Sequence, residues 1–157
     1  MRIVVLGGAG AMAWPSEIHL LEQPDVAEIV IADRSEAIVE KRIAQLGDDE
    51  RLKGKVIDLM DIKTSTELFE GADVVYNAAF KTTCTPATNA ALEAGVNYVD
   101  LLGSKIESQR SFSDKFRKKG RLALLGCGTA PGMSNIMAAH GVNLLEKPES
   151  IEILDAC

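Results

Sequence analysis

Aromatic residues make up only 4% of this 157-residue chain, and cysteine occurs three times. Cys84, Cys127 and Cys157 form an odd set without metal-ligand spacing, which favours reduced thiols in a cytoplasmic protein over a disulfide framework. We therefore expect no metal site. Apolar runs are short, and none approaches the ~20 residues of a membrane span. The first run ends at Leu6, so we expect neither a signal peptide nor a membrane anchor.

Positive charge is also sparse, because 17 Lys and Arg stand against 23 Asp and Glu, for a formal net charge of −6. Binding to nucleic-acid phosphates needs clustered basic residues. The one basic cluster, residues 115–121, falls at the end of a predicted helix, where cations complement the helix dipole. We therefore expect no nucleic-acid partner. The 46% of hydrophobic residues are mostly aliphatic and small, which is typical of helices packed on a parallel sheet.

The N-terminal residues indicate a buried strand followed by a glycine-rich turn. Residues 3–6 are continuously apolar, the pattern of a strand covered on both faces of a parallel sheet. Gly8, Gly10 and Ala13 then match the pattern G-x-G-x-x-G/A. In that pattern the first glycine makes a tight turn and the second lets the backbone approach a pyrophosphate, while the small third residue allows close helix packing.

The helix after this turn would add to an anion site. Pro15 is tolerated only within a first helical turn, which predicts a helix over residues 11–22. Unpaired N–H groups at its start, those of Ala11 and Met12 among them, would face the pyrophosphate together with the positive end of the helix dipole. A glycine turn can also join strand and helix for structural reasons alone, so the motif depends on its context.

That context includes an acidic residue at the end of the second predicted strand. The apolar residues 29–32 end at Asp33, which stands 20 positions after Ala13. A dinucleotide-binding fold places a carboxylate there to accept hydrogen bonds from the adenosine ribose. Asp33 would favour NAD by repelling a 2′-phosphate, whereas Arg34 can turn towards such a phosphate and leaves NADP as the alternative. Asp33 is also suited to cap the next helix, and the two roles can coexist.

Six strand signals separated by helical segments predict a doubly wound parallel sheet of the Rossmann type, an α/β fold in three layers. The four later strands are predicted over residues 56–59, 72–79, 96–101 and 122–125. Helices are predicted over residues 35–46, 64–71, 85–95, 107–118 and 131–145, with capping residues at Thr64 and Thr85. Residues 48–54 are expected to form a charged, exposed loop. Ligands of this fold bind at the carboxyl ends of the strands.

Several side chains follow predicted strands and are therefore candidates for ligand binding. Asn77, Ala78 and Ala79 leave the fourth strand where the middle and nicotinamide half of a dinucleotide would pass, although packing alone also explains two alanines. Asp58 is placed to meet the adenine end, with a solvated loop carboxylate as the commoner outcome. Asp100 ends the fifth strand, where it would either orient a substrate amine as a catalytic residue or hydrogen-bond a loop.

A second glycine-rich turn, residues 126–135, enters the last predicted helix at the same end of the sheet. Its backbone donors would face the nicotinamide or a substrate carboxylate. Cys127 suggests a thiol nucleophile, but no histidine lies nearby in sequence. His19 and His140 both fall within predicted helices, which favours core or surface roles for them. Neither tyrosine is followed four positions later by lysine, which disfavours a short-chain dehydrogenase.

Taken together, five segments resemble the N-terminal domain of the saccharopine dehydrogenase family, which includes saccharopine reductases, carboxynorspermidine dehydrogenases and lysine 6-dehydrogenases. The segments are residues 8–15 (GAGAMAWP), 29–34 (IVIADR), 71–79 (GADVVYNAA), 91–101 (ALEAGVNYVDL) and 126–135 (GCGTAPGMSN). The resemblance implies an NAD- or NADP-dependent oxidation or reduction at a carbon–nitrogen bond of an amino acid such as lysine, or of an adduct such as saccharopine. Ala130 stands where many members have aspartate, a variation similar to the lysine 6-dehydrogenase branch.

The resemblance also implies a domain organisation. Family members carry a substrate and dimerisation domain after the cofactor domain, and they imply a homodimer at full length. We therefore expect residues 1–147 to form the dinucleotide-binding domain and residues 148–157 to begin a truncated second domain. The alternating residues 151–154 predict a half-exposed strand, either the first of that domain or a seventh strand of the main sheet. The alternative function is a regulatory or scaffold module that binds a dinucleotide without turnover.

Overall fold

The computed structural model describes residues 1–103 and 106–154. Strands and helices alternate along nearly the whole of it. The strands are Arg2–Leu6 (β1), Glu28–Asp33 (β2), Leu52–Val56 (β3), Val74–Asn77 (β4), Asn97–Asp100 (β5) and Ala123–Leu124 (β6). The helices are Trp14–Leu21 (α1), Glu36–Gln45 (α2), Ile62–Phe69 (α3), Cys84–Ala94 (α4), Ile106–Arg110 (α5), Ser113–Lys118 (α6) and Met133–Asn143 (α7), and a short 3₁₀ helix spans Lys81–Thr83.

The six strands form one parallel sheet in the order β3-β2-β1-β4-β5-β6. The strand β1 lies at the centre, where Val4 pairs with Val30 of β2 and with Val75 of β4. The strands β2 and β3 extend the sheet from β1 in one direction, and β4, β5 and β6 extend it in the other. The predicted doubly wound sheet of six parallel strands is confirmed. The order reverses between β1 and β4, where such a sheet opens a crevice at the carboxyl ends of its strands.

Successive side chains of the central strands point to opposite faces of the sheet, and each face carries its own core. On one face, Val5 and Ile31 pack with Ala13, at the start of α1, and with Val39 of α2. The core on the other face joins the alternate strand residues to α3, α4 and α6 through Val4, Val30, Phe69, Ala90, Ala91 and Phe116. The three-layer arrangement is therefore as predicted, with α1 and α2 covering one side.

The third strand does not lie where the hydropathy pattern places it. The predictions of a loop over residues 48–54 and a strand over 56–59 are wrong, because β3 begins at Leu52 and ends at Val56. This strand is at the edge of the sheet, and Lys53 and Lys55 are exposed. Gly54 faces α2 so closely that a Cβ atom there would lie 2.8 Å from Cγ1 of Val39. A strand with one buried side chain and a bare glycine gives almost no apolar signal.

Several helix boundaries also differ from the predictions. The helix α1 begins at Trp14 rather than at residue 11, because residues 11–13 still belong to the turn. The N-cap of α3 is Asp61, whose Oδ1 accepts a hydrogen bond from the Thr64 N–H at 3.2 Å, so Thr64 is not the cap. The helix α4 begins at Cys84, which places Thr85 inside it. The single helix predicted over residues 107–118 is two, α5 and α6.

The C-terminal part of the described chain is largely exposed to solvent. The helix α7 exposes Met133, Ile136 and Met137. Residues 151–154 are exposed and form no strand, so the strand predicted there is wrong for these four residues. Residues 155–157, and with them Cys157, lie outside the described residues. The domain boundary at residue 147 stays a prediction.

Candidate functional site

A cleft of about 400 Å³ opens at the carboxyl ends of β1 to β4. It crosses the point where the strand order reverses, which is the position of the ligand crevice in a doubly wound sheet. Its walls are the glycine turn after β1, the end of β2 and the loops that follow β3 and β4. Six of the residues predicted for the site line this cleft: Gly10, Asp33, Arg34, Asp58, Ala78 and Ala79.

The glycine turn presents bare backbone to the cleft. The Gly10 N–H donates to the Gly7 carbonyl at 2.9 Å and closes the turn. A Cβ atom on Gly10 would meet only that carbonyl oxygen, at 3.0 Å, and otherwise open space. Gly8 has a different role, because it is buried and a Cβ atom there would lie 2.9 Å from Cγ2 of Ile31. The open space that a side chain would fill therefore lies at Gly10, and we call it the cradle, while Gly8 packs against β2.

Gly7 is a cleft residue that the motif did not indicate. Its φ of +67° lies in the left-handed region, which favours glycine. A Cβ atom there would lie 2.7 Å from Cα of Ala79, so the turn after β1 and the loop after β4 touch backbone to backbone. The doublet Gly7–Gly8 was the available sequence signal. This contact sets how far apart the two walls of the cleft stand.

Free donors follow the turn. Ala11 and Met12 are exposed, and neither N–H group donates a hydrogen bond to another of the residues in the described ranges. They do not line the cleft itself, and Ala11 lies in a neighbouring hollow beside Trp14 and Arg42. Unpaired N–H groups at a helix start, with the positive dipole end behind them, form an anion site. Within the turn, these two N–H groups are the donors that stay available to a ligand.

Asp33 lies at the end of β2 and faces the glycine turn. Its Oδ2 accepts a hydrogen bond from the Ala9 N–H at 3.3 Å, and its Oδ1 accepts one from the Arg34 N–H at 2.7 Å. The N-cap residue of α2 is Ser35, so these contacts are with turn backbone rather than with the helix. Each carboxylate oxygen has a second lone pair, which leaves capacity for two hydroxyl donors. The Arg34 side chain is exposed beside it.

The other cleft residues lie on loops after β3 and β4. Asp58 is exposed, and its Oδ1 accepts a hydrogen bond from the Met60 N–H at 3.0 Å. Asn77 is buried and does not line the cleft. Its Nδ2 donates to the Tyr98 hydroxyl at 2.9 Å and its Oδ1 accepts from the Ala79 N–H at 3.0 Å. Asn77 thus fixes the backbone at Ala79. Its partner Tyr98 is buried, and burial raises the pKa of the Tyr98 hydroxyl well above its ordinary value.

Asp100 is fully buried at the end of β5. Its Oδ1 accepts from the N–H groups of Gly103, at 2.9 Å, and Gly126, at 2.7 Å. Its Oδ2 accepts from Nε2 of Gln109 at 2.7 Å. The Asp100 carbonyl also accepts from the Cys127 N–H at 2.8 Å. This carboxylate therefore ties the second glycine-rich turn to β5 and α5.

The second turn holds no activated thiol. Cys127 is exposed, and partial desolvation and then the nearby Asp100 carboxylate raise the pKa of its thiol, whereas a nucleophilic cysteine needs the opposite shift. His19 and His140 are exposed on α1 and α7. Within the part of the chain that the structure covers, no three His, Cys, Asp or Glu side chains are grouped to hold a metal ion. None of the helices described there has the length and hydropathy to span a bilayer.

A buried ion pair beneath the glycine turn was not predicted. Glu17 of α1 is fully buried and Arg42 of α2 nearly so, and Nη1 of Arg42 lies 3.1 Å from Oε2 of Glu17. Nη2 of Arg42 donates to the carbonyl oxygens of Ala9 and Gly10, both at 3.0 Å. The guanidinium carbon lies 4.8 Å from the ring centroid of Trp14, within cation–π range.

Burial raises the pKa of Glu17 to about 7, although the Arg42 charge and hydrogen bond act in the opposite direction. Oε1 of Glu17 accepts no hydrogen bond from the described residues, so the carboxylate is compensated at one oxygen only. A sequence signal for the pair did exist. Arg42 is three residues after the buried Val39, and Glu17 is four after the buried Ala13, so each charge falls on the apolar face of its helix.

Comparison with known proteins agrees with this geometry. A family model described as the saccharopine dehydrogenase NADP binding domain matches residues 3–124. The chain belongs to the saccharopine dehydrogenase family. It is the NAD(P)-binding domain of that family, and the resemblance drawn from the sequence is confirmed.

A curated relative is the carboxyaminopropylagmatine dehydrogenase of Synechocystis sp., 29% identical over 152 residues. The match covers 90% of this chain and 38% of the relative, so the chain spans well under half of that protein. The saccharopine dehydrogenase (L-Glu forming) of Saccharomyces cerevisiae has the same fold, with a TM-score of 0.78 at 20% identity, over 91% of this chain and 31% of that one. An NADPH-dependent quinone oxidoreductase of Escherichia coli, solved with NADPH, has a TM-score of 0.56 at 20% identity, over 73% of this chain and 45% of that one.

Proposed function

We propose that this chain is the cofactor domain of an oxidoreductase that acts on a carbon–nitrogen bond of an amino acid or an amino-acid adduct. One observation carries the proposal. The cleft at the point where the strand order reverses brings the backbone of Gly10, which carries no side chain, together with the carboxylate of Asp33. When bound, the nicotinamide supplies the hydride chemistry, and the residues of this domain hold and orient the cofactor.

The proposed binding mode follows from what each wall of the cleft offers. The free N–H groups of Ala11 and Met12 would bind the pyrophosphate, which can approach the turn because no side chain at Gly10 stands in front of it. The remaining lone pairs of Asp33 would accept from the ribose hydroxyls, with Asp58 further along the adenosine side. The nicotinamide half of the cofactor would pass Ala78 and Ala79, whose small side chains permit close approach.

The proposed cofactor preference is for NAD(H) over NADP(H). A carboxylate beside the ribose accepts from a 2′-hydroxyl and repels a 2′-phosphate. The family description names NADP, and the exposed Arg34 offers a 2′-phosphate a cation next to that carboxylate. We therefore propose that the domain prefers NAD(H) but does not exclude NADP(H).

The proposed substrate class rests on the family. Lysine and saccharopine are the candidates that the sequence resemblance implies, and the name of the curated relative joins a carboxyaminopropyl group to agmatine. A substrate carboxylate would bind near the second glycine-rich turn, which Asp100 anchors by accepting from the Gly126 N–H at its carboxylate and from the Cys127 N–H at its carbonyl. The carboxylate also accepts from Gly103 and Gln109, so both of its oxygens are occupied, and we assign Asp100 a positioning role for that turn. A cytoplasmic homodimer at full length belongs to the same proposal.

Titration of the chain with NADH and with NADPH, followed by the fluorescence of the bound nicotinamide, tests the assignment. We expect tighter binding of NADH, and tighter binding of NADPH would refute the role given to Asp33. In Gly10→Val the branched side chain would fill the cradle and displace the pyrophosphate, so binding should be lost while the circular dichroism spectrum is kept. Gly141→Val is the matched control, because Gly141 lies on α7 with open space around its Cβ position. Unchanged affinity in Gly10→Val would mean that the turn is structural only.

A further inference from the structure

The orientation of the glycine turn depends on a single guanidinium group. Nη2 of Arg42 donates to two consecutive carbonyls of the turn, those of Ala9 and Gly10. In a trans peptide the carbonyl oxygen and the next N–H group point in opposite directions. Binding the Gly10 carbonyl from the α2 side therefore directs the Ala11 N–H away from Arg42. That N–H is one of the two free donors of the turn, ahead of α1.

The guanidinium is itself held on two other sides. Oε2 of Glu17 accepts from Nη1 at 3.1 Å, and the Trp14 ring lies against the guanidinium at 4.8 Å. Glu17 and Trp14 both belong to α1, and Arg42 to α2, so the two helices fix the group before any ligand arrives. Oε1 of Glu17 lies under Gly8, at 3.1 Å from the position of a Cβ atom there. The ion pair thus hydrogen-bonds the turn at residues 9 and 10 and lies beneath residue 8.

We propose that Arg42 is a positioning residue for cofactor binding, which holds the carbonyls of Ala9 and Gly10 so that the Ala11 N–H stays available to the pyrophosphate. This inference rests on the proposed function, because it assumes that the pyrophosphate binds at this turn. A pair that served stability alone would not need to place both Nη2 hydrogen bonds on the turn. Without them, the turn samples other peptide orientations, and the apparent affinity falls by the fraction of time that it is competent.

The chain contains a matched control arginine. Arg51 is partly buried and its guanidinium also binds backbone carbonyls, those of Leu21, Gln23 and Val26, together with the Asp49 carboxylate. These carbonyls lie at the C-terminal end of α1 and in the loop after it, away from the cleft. Arg42→Lys and Arg51→Lys each replace a fork of donors by one ammonium group, which cannot reproduce the same set of contacts. The two variants therefore lose comparable contacts, but only the first loses them at the turn.

The test is the dissociation constant for NADH in the wild-type chain and in both variants. We expect Arg42→Lys to bind roughly tenfold more weakly or worse, as for a turn competent about a tenth of the time, and Arg51→Lys to stay within about twofold. Equal affinity in Arg42→Lys and wild type would overturn the proposal, as would equal losses in the two variants. If the wild-type chain does not bind NADH, or Gly10→Val binds it unchanged, the proposed function fails first and this inference with it.

A second variant keeps the question open to test if Arg42→Lys does not fold. Arg42→Ala keeps the Glu17 carboxyl, which can take up a proton when no cation is beside it and can pair with a guanidinium ion that enters the space left by the side chain. We expect it to bind NADH weakly and to regain affinity in millimolar guanidinium chloride, with no gain in sodium chloride of equal ionic strength. A merely structural role for Arg42 predicts that any gain in affinity comes with refolding, so the circular dichroism spectrum, which we expect to stay unchanged, is recorded over the same guanidinium range. Wild-type affinity in this variant, weak binding that guanidinium does not improve, or a gain that only follows refolding would overturn the proposal.

Discussion

The buried carboxyl of Glu17 gives the fold a pH dependence that a single substitution should remove. Its pKa is about 7 in the folded chain and 4.5 when exposed. Between these values the folded chain holds a proton that the unfolded chain has released. The stabilisation from this proton is complete below pH 4.5 and is lost as the pH rises through about 7. Stability should therefore fall with rising pH across this window.

The size of the effect follows from the same two values. One pKa unit corresponds to about 1.36 kcal/mol, so the titration of Glu17 alone would lower the free energy of unfolding by ~3 kcal/mol between these limits. The neutral side chain in Glu17→Gln cannot titrate, and its free energy of unfolding should lack this fall. Asp49 does not interfere, because hydrogen bonds from Arg51 lower its pKa to about 2 and its titration ends below the window.

The assay is urea unfolding at a series of pH values from 4.5 to 8, which gives the free energy of unfolding at each. Glu40→Gln is the control, because Glu40 is an exposed residue of α2, on the other helix of the pair. The free energy of unfolding of the control should change with pH as that of the wild type does. For Glu17→Gln the difference from the wild type should itself change with pH, and this change is the test, since a constant difference would reflect only the loss of contacts. Parallel curves for wild type and Glu17→Gln would show that Glu17 does not titrate in this range.

Two further predictions concern the second glycine-rich turn and turnover. Asp100→Asn should destabilise the chain by ~1–3 kcal/mol, because an amide has one acceptor oxygen for three donors; thermal unfolding beside the exposed Asp114→Asn would measure this, and no difference from that control would contradict it. The 157-residue chain should bind NADH yet show no appreciable turnover of lysine or saccharopine, since near-attack geometry needs groups on both sides of the nicotinamide and the chain spans 38% of its curated relative. A spectrophotometric assay beside a version extended past Cys157 tests this, with robust turnover by the short chain as the contrary result, and turnover by neither would favour a regulatory module.

The sequence was sufficient for those features that depend on local patterns. The continuous apolar residues of β1 and β2, the glycine motif and the acid that follows β2 predicted the centre of the sheet and the position of Asp33. These features are local because a buried parallel strand and a tight turn each restrict the residue types along a few positions. The helix ends were less accurate, since α1 starts only after the turn has used residues 11–13.

Features that depend on contacts between distant residues could not be predicted in this way. Arg42 reaches the Gly10 carbonyl across 32 positions of sequence, and Gly7 meets Ala79 from a different strand. Asp100 ends its strand as predicted, but only the folded chain shows that backbone amides of two loops and Gln109 surround its carboxylate. Polar residues after a strand are easy to locate, whereas their partners depend on how the loops pack.

The lysines of β3 bear on how this sheet ends. An open parallel sheet has two edges, each with unpaired backbone groups that could pair with a strand of another molecule. Lys53 and Lys55 place exposed positive charges along one edge, and the other edge, β6, is only two residues long. Like charges would repel a second copy of β3, and two residues offer too short a ladder for stable pairing. The residues that hide β3 from hydropathy analysis thus also limit edge-to-edge aggregation of the domain.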